Sequence, residues 1–218
     1  MLDIKGVIFD MDGLMIDTEK LLIKYWCQAC EEFGYHATPE MLYPMRSLCS
    51  KYSVPKFKET FGQDFDVAKI RSRRMELMND YISKNGIEKK KGLDDLLDFL
   101  KSKGIKRAVA TATDYSRTEV YLKSINVFHK FDNIVCANMV KVGKPEPYVY
   151  LYACEQINLS PKDCLALEDS PNGILSAYRA GCKPIMIPDL TQPDDYTKSL
   201  LFDCAESLDK VIDIILKG

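Results

Sequence analysis

Apolar and polar positions divide the chain into two parts with different periodicity. From Met15 to Lys91 the apolar residues recur at helical spacing, and no strand-like run interrupts them. The rest of the chain alternates short apolar runs with helical segments, which is typical of strands joined by helices. The pattern therefore predicts an α/β unit interrupted by a helical insertion.

Strands and helices follow from these runs and from their stop signals, which are mainly glycines and prolines. In the insertion, helices are predicted over Ile16–Gly34, from Thr38-Pro39 onward, and over Lys56–Phe61 and Val67–Ser83. Elsewhere, strands are predicted over Val7–Phe9, Lys106–Thr111, Ile134–Val135, Cys164–Leu167 and Pro184–Ile187. Helices are predicted over Leu93–Lys103, Tyr115–Ser124, Pro147–Gln156, Pro171–Ala180 and Leu208–Leu216. This alternation implies a parallel sheet with right-handed crossovers.

Two carboxylates stand two positions apart at the end of the first apolar run. Side chains alternate between the faces of a strand, so Asp10 and Asp12 project to the same side, and Gly13 allows a sharp turn after them. Open α/β sheets bind ligands at the carboxyl ends of their strands, and a divalent cation commonly relieves the repulsion between two close acids. Taken alone, the pair fits a structural strand followed by an Asx turn about as well.

Later strand ends carry polar groups of complementary chemistry. The hydroxyl of Thr111 suits a phosphate oxygen, although a helix cap is an equal alternative. Lys144 lies between a glycine and a proline that orient it, although a lysine taken alone is more often a surface residue. Glu168 and Asp169 form a second carboxylate pair. If these strand ends meet at one sheet edge, the acids can bind a cation, the hydroxyl and the lysine can bind an anion, and one carboxylate is free to act as a nucleophile. This combination predicts phosphoryl transfer through an aspartyl phosphate.

These motifs resemble the haloacid dehalogenase-like superfamily, in its β-phosphoglucomutase-like branch of phosphatases and phosphomutases. The motifs are Phe9-Asp10-Met11-Asp12-Gly13, Thr111, Lys144 in Gly-Lys-Pro-x-Pro, and Glu168-Asp169-Ser170-x-x-Gly173. The resemblance implies a Rossmann-like parallel-sheet core with helices on both faces, formed by residues 1–14 and 92–218. Residues 15–91 would form an inserted all-helical cap domain that closes over the substrate.

The resemblance assigns the chemistry to the two acids of the first motif. Asp10 would be the nucleophile and a ligand of magnesium (Mg2+), and Asp12 would be the general acid and base, with its backbone carbonyl on the metal. β-Phosphoglucomutases resembling this chain carry a histidine in the first cap helix, at the position of Leu22. A leucine cannot hydrogen-bond to the acid–base aspartate, so hydrolysis is expected instead of mutase chemistry.

The remaining matching residues would bind the phosphoryl group and the metal. Thr111, Ala112 and Lys144 would hold the phosphoryl group. Asp169 would bind Mg2+ directly, and Glu168 would bind it directly or through water.

The expected function is that of a magnesium-dependent phosphomonoesterase acting on a small phosphorylated metabolite, such as a sugar phosphate. A phosphosugar mutase of the β-phosphoglucomutase type is the main alternative. A catalytically silent binding protein on the same fold is a further one. The intact acids Asp10, Asp12 and Asp169 argue against it, because such proteins typically lose one of these groups.

Basic residues in the predicted cap have two interpretations. Arg71, Arg73 and Arg74 fit a solvated helix face, and the alternative is that they capture an anionic substrate. Arg46 carries no assignment, because the stretch around it lacks the glycine usually found near this point of the family.

Composition excludes several classes of function. With 218 residues and a formal net charge of −2, the chain shows no general attraction to nucleic acid. No secretory leader or membrane-length apolar run stands out, so a soluble cytoplasmic monomer is expected. The eight scattered cysteines are expected to be reduced. The Cys27-x-x-Cys30 pair fits buried small side chains better than a zinc or redox site.

Overall fold

A six-stranded parallel sheet is the centre of the computed structural model, which describes residues 1–218. The strands are β1 (Gly6–Phe9), β2 (Lys106–Thr111), β3 (Asn133–Cys136), β4 (Cys164–Glu168), β5 (Lys183–Met186) and β6 (Asp203–Cys204). Their order in the sheet is β3-β2-β1-β4-β5-β6, and every neighbouring pair is parallel. The strand that carries the first motif, β1, therefore lies between the strands that carry the second and fourth motifs.

Ten α-helices accompany the sheet. They are α1 (Glu19–Glu32), α2 (Pro39–Leu42), α3 (Ser50–Phe61), α4 (Val67–Asn85), α5 (Leu93–Ser102), α6 (Tyr115–Ser124), α7 (Tyr148–Gln156), α8 (Pro171–Ala180), α9 (Asp195–Leu200) and α10 (Leu208–Lys217). Val7 and Phe9 belong to an apolar cluster with α5, α6 and α10, whereas Ile8 belongs to a second cluster with α7 and α8. Because successive strand residues face opposite sides, the two clusters lie on opposite faces of the sheet. The predicted Rossmann-like sheet with helices on both faces is confirmed.

Some boundaries differ from those predicted. α1 begins at Glu19 instead of Ile16, because Ile16 forms isolated bridges with Asp12 and with Lys89. α3 begins at Ser50 instead of Lys56 and contains Pro55, although proline commonly interrupts a helix. The short elements α9 and β6 were not predicted, because neither carries an apolar run long enough to show a period.

The helical segment, defined as residues 19–85, contains α1 to α4 and has an apolar cluster of its own. Trp26 of α1 and Phe57 of α3 pack with their ring centroids 4.6 Å apart. The chain that returns to the sheet is tied to the chain that leaves it, because Lys90 pairs with Asp17 at 3.1 Å and with Asp189 at 2.8 Å. The division into a core (1–14 and 92–218) and a cap (15–91) stays a prediction.

Apolar length and cysteine chemistry add two further facts. No helix is both long enough and apolar enough to cross a membrane. All eight cysteines are free thiols, and both members of the Cys27-x-x-Cys30 pair lie on α1.

Candidate active site

The carboxyl ends of the three central strands bring the polar residues of all four motifs together. Asp10 directly follows β1, Thr111 ends β2, and Glu168 ends β4 with Asp169 directly after it. Lys144 comes from the loop between β3 and α7 and reaches the same edge. All five of these side chains are buried. The convergence expected from a parallel sheet is present.

Lys144 is the central cation of this cluster. Its ammonium group donates to Asp10 Oδ1 and to Glu168 Oε1, each at 2.5 Å, and the side chain is fully buried. Burial alone would lower the pKa of Lys144, but the charges of Asp10 and Glu168 raise it above its ordinary value. The hydroxyl of Tyr150 donates to the same oxygen of Glu168 at 2.6 Å. The alternative of a surface lysine is therefore wrong.

Three carboxylates at this edge form a group that fits a divalent cation. Asp10, Glu168 and Asp169 each present an oxygen, and these atoms lie within 4.8 Å of one another. Burial raises the pKa of Asp10 and of Asp169 well above the ordinary value. Asp169 Oδ1 is buried and has no hydrogen-bond partner. A hard cation accepts such an oxygen and favours the ionised carboxylates, so the donor set suits Mg2+.

Two glycines leave room for these carboxylates. Gly13 has a φ of +81°, and a Cβ there would overlap the Asp169 carboxylate. A Cβ on Gly173, in the first turn of α8, would overlap the Glu168 carboxylate. Both motifs therefore need glycine for steric reasons beyond chain flexibility.

Asp12 occupies a different environment from the three clustered acids. Thr18 Oγ1 donates to Asp12 Oδ1 at 2.6 Å, and Thr113 Oγ1 donates to Asp12 Oδ2 at 2.7 Å. Asp12 is half-buried and lines the cavity described below. Neither threonine was predicted to be a site residue, although Thr18 follows the first motif closely and Thr113 lies two residues after Thr111. The two hydroxyls fix the orientation of the carboxylate.

Thr111, the residue of the second motif, does not act as a helix cap. The backbone N–H of Thr113 donates to Thr111 Oγ1 at 3.1 Å, and Ala112 lines the cavity. The cap of α6 is Asp114, whose side chain accepts from the N–H of Arg117 at 3.1 Å. The helix-cap alternative for Thr111 is therefore wrong.

Arg46 joins the helical segment to this cluster. Its buried guanidinium donates to Asp169, to Glu19 Oε2 at 2.8 Å and to Thr191 Oγ1 at 3.2 Å. Burial raises the pKa of Glu19, and Arg46 opposes that rise. These contacts could not be predicted from the sequence, because they join positions far apart in the chain.

A cavity of about 630 Å³ lies between the sheet edge and the helical segment. Asp10 and Asp12 line one part of it, and Leu22 and Arg74 are among the residues that the helical segment contributes. Arg74 is only 5% exposed, so the solvated helix face expected for it is wrong. Arg73 does lie on such a face, where it pairs with Glu32 and Glu76.

The chain is similar to known proteins of one hydrolase family and to phosphatases. The model of the family described as haloacid dehalogenase-like hydrolase matches residues 7–187. A phosphorylated carbohydrates phosphatase from Thermotoga maritima is 30% identical over 181 residues, which cover 83% of each protein. Hexitol phosphatase A from Escherichia coli is 27% identical over 187 residues, which cover 84% of this chain and 82% of that protein. A β-phosphoglucomutase from Clostridium difficile shares the fold, with a TM-score of 0.79 at 22% identity over 98% of this chain and 96% of that one.

Proposed function

Because the chain belongs to the haloacid dehalogenase-like hydrolase family and is a phosphatase of that family, we propose that it hydrolyses a small phosphorylated metabolite through an aspartyl phosphate on Asp10. The observation that carries the proposal is the buried Asp10, which pairs with Lys144 and belongs to a group of three carboxylates. A sugar phosphate or a polyol phosphate is the proposed substrate, since two relatives are named for such compounds.

In the first step, a carboxylate oxygen of Asp10 attacks phosphorus. The bond from phosphorus to the leaving oxygen breaks, and protonated Asp12 donates its proton to that oxygen. Thr18 and Thr113, which donate to the two oxygens of Asp12, keep this group aligned. The products of the step are the free alcohol and a phosphorylated Asp10.

In the second step, water replaces Asp10 on phosphorus. Asp12, now deprotonated, accepts a proton from the water as its oxygen attacks. The bond between phosphorus and the Asp10 oxygen breaks, which releases inorganic phosphate and restores the carboxylate. The proton that Asp12 gave in the first step is thereby recovered.

Positive charge around the phosphoryl group would come from a bound metal ion and from Lys144. Asp10, Glu168 and Asp169 would hold Mg2+ together with the backbone carbonyl of Asp12. The bound cation would offset negative charge on the phosphoryl oxygens. Thr111 and the backbone of Ala112 would position those oxygens, and the ammonium of Lys144 would add positive charge that is already in place.

Residues 15–91 are proposed to act as the cap over this site and residues 1–14 and 92–218 as the core. Leu22 lines the cavity and offers no hydrogen bond to Asp12, which supports hydrolysis over transfer to a second sugar hydroxyl. A mutase must exclude water from the aspartyl phosphate, and this chain has no histidine at that position to couple substrate binding to closure.

Release of inorganic phosphate from a panel of phosphorylated sugars, polyols and nucleotides tests the proposal. We expect hydrolysis of at least one sugar or polyol phosphate with Mg2+ present, its loss in excess chelator and its return when Mg2+ is restored. Calcium should inhibit, because it tolerates looser and higher coordination. Full activity in chelator would contradict the metal requirement, and no release from any member of the panel would contradict the function.

A further inference from the structure

Three arginines on the cavity wall have no close carboxylate partner; Arg74 is buried, and Arg71 and Arg117 are half-buried. Arg71 and Arg74 of α4 have no carboxylate within ion-pair distance. Arg117 of α6 has only Asp114, at 3.8 Å. All three line the cavity that contains Asp10 and Asp12.

Arg74 is the most buried of the three arginines and has the fewest polar contacts. It is 5% exposed, and its Nε is buried without a hydrogen-bond partner. Its other contacts are weak: Nη1 lies 3.8 Å from Met78 Sδ, and Cζ lies 5.4 Å from the centroid of the Trp26 ring. Burial, together with repulsion from Arg117 and Arg71, lowers the pKa of Arg74 to about 10. The guanidinium is therefore still charged at neutral pH.

A second buried donor lies in the same neighbourhood. The hydroxyl of Tyr121, on α6, is buried and has no partner. Burial raises the pKa of Tyr121 to about 12, and the charges of Arg117 and Arg74 act against that rise. Leaving a buried donor or charge unpaired costs stability. Of these two groups Arg74 lines the cavity, so its unpaired guanidinium points to a ligand that would pair with it.

We propose that the arginine cluster Arg71, Arg74 and Arg117 holds a second anionic group of the substrate. The inference rests on the proposed function and narrows its substrate class to phosphomonoesters that carry a further phosphate or carboxylate. A neutral sugar hydroxyl cannot offset three like charges, whereas an oxyanion accepts from guanidinium groups in bidentate geometry. A cavity of about 630 Å³ has room for a doubly anionic sugar derivative.

Matched substrate pairs test this inference. Fructose 6-phosphate is compared with fructose 1,6-bisphosphate, and glycerol 3-phosphate with 3-phosphoglycerate, by kcat/KM for phosphate release. We expect the doubly anionic member of at least one pair to be preferred by about tenfold or more. The pair that shows the preference tells whether phosphate or carboxylate is recognised. Hydrolysis without a preference in either pair would overturn the inference and leave the proposed function intact.

Binding measurements distinguish the opposite case, in which the arginine cluster binds an anion but the proposed function is wrong. Calorimetry on Asp10→Asn with Mg2+ measures the affinity for both members of each pair without turnover. Tighter binding of a doubly anionic compound, with no phosphate release from the wild-type enzyme, would support the arginine cluster and contradict the proposed function. Equal affinities within both pairs would contradict the arginine cluster.

Variants of the cluster, with a control on the same helix, test the residues themselves. Arg74→Met and Arg117→Met should each reduce the preference ratio by about tenfold. Arg74→Met should also raise the thermal unfolding temperature, because it removes an unpaired buried charge. The control Arg73→Met replaces an arginine whose side chain is 39% exposed and paired with Glu32, and it should leave the ratio unchanged.

Two outcomes would overturn the assignment. An unchanged ratio in Arg74→Met, combined with a lower unfolding temperature, would show that Arg74 is structural. An equal loss on both members of a pair in Arg74→Met and Arg117→Met would show that the arginines act on the transferred phosphoryl group. If Arg74→Met does not fold, the ratio measured on Arg117→Met decides.

Discussion

At the scale of single residues, one ammonium group holds two buried carboxylates in place. Lys144 contacts both Asp10 and Glu168, and Tyr150 adds a hydrogen bond to Glu168. A charge buried in this way is stable only while its partners remain, because an uncompensated buried charge costs several kcal/mol, of the order of 3–5. The cluster is therefore both a structural centre and the proposed site of phosphoryl transfer.

Lys144→Ala tests which of these two roles dominates. We expect kcat to fall by about a hundredfold or more, since a fixed positive charge beside the phosphoryl group is lost. The circular dichroism spectrum should stay native, because the buried carboxyls can take up protons. Lys198→Ala, an exposed position on α9, is the control. A spectrum of an unfolded chain for Lys144→Ala would favour a purely structural role.

The raised pKa of Asp169 predicts how stability depends on pH in chelator. Because burial raises this pKa in the folded protein, the folded state keeps a proton that the unfolded chain has lost. The contribution to stability is therefore present below the unfolded-state pKa, about 3.9, and is lost as the pH rises toward the folded-state pKa. We expect the unfolding temperature of the wild type to fall more steeply between pH 4 and 7 than that of Asp169→Asn. Equal slopes would contradict this reasoning.

At the scale of elements, the first turn of α8 links helix geometry to the metal ligands. Ser170 caps the helix by accepting from the N–H of Gly173 at 3.2 Å, and Pro171 follows the cap. A glycine inside a helix costs about 1 kcal/mol relative to alanine. Its presence here is explained by the Glu168 carboxylate, which occupies the space that a Cβ would need.

Gly173→Ala tests whether the close approach of the Glu168 carboxylate requires a glycine at this position. If only helix propensity mattered, the variant would be more stable by about 1 kcal/mol. We expect instead a lower unfolding temperature and weaker Mg2+ binding by calorimetry, because the added Cβ displaces Glu168. Tyr178→Ala, exposed on the same helix, is the control for helix stability. A stabilised variant with unchanged Mg2+ affinity would show that the close approach is unimportant.

Elements with a clear period were predictable, and those held by distant contacts were not. β2 and α6 have the predicted bounds, because a short apolar run and a helical period are local signals. The start of α3 was misplaced because Pro55 is a breaker by local rules, yet the helix contains it. Within the site, the strand-end motifs were visible in the sequence. The pairing of Arg46 with Asp169 and the burial of Arg74 depend on how α2 to α4 lie over the sheet edge.

At the scale of the whole molecule, the site lies where two parts of the chain meet. The sheet edge supplies acids and Lys144, while the helical segment supplies Leu22 and an arginine-rich wall. The identity of the substrate is therefore expected to depend on the helical segment and the chemistry on the sheet edge. The residue at position 22 allows this division to be tested, because it bears on the choice between hydrolysis and transfer of the phosphoryl group to a second sugar hydroxyl.

β-Glucose 1-phosphate distinguishes those two reactions. If the enzyme accepts this compound, we expect inorganic phosphate as the product, since Leu22 offers no hydrogen bond that would couple closure to Asp12. The products are separated by a coupled assay for glucose 6-phosphate and a direct assay for phosphate. Glucose 6-phosphate that accumulates with little phosphate release, and is stimulated by a catalytic amount of the bisphosphate, would identify a mutase.

Phosphate release by Asp10→Asn shows whether Asp10 is the nucleophile. The substitution keeps the size of the side chain but removes the charge that attacks phosphorus and weakens the metal site. Asp195→Asn, at a fully exposed position on α9, is the matched control and should keep wild-type activity. We expect the activity of Asp10→Asn to fall by about three orders of magnitude or more, with a native circular dichroism spectrum. Retention of more than about a tenth of the wild-type rate would contradict the aspartyl-phosphate mechanism.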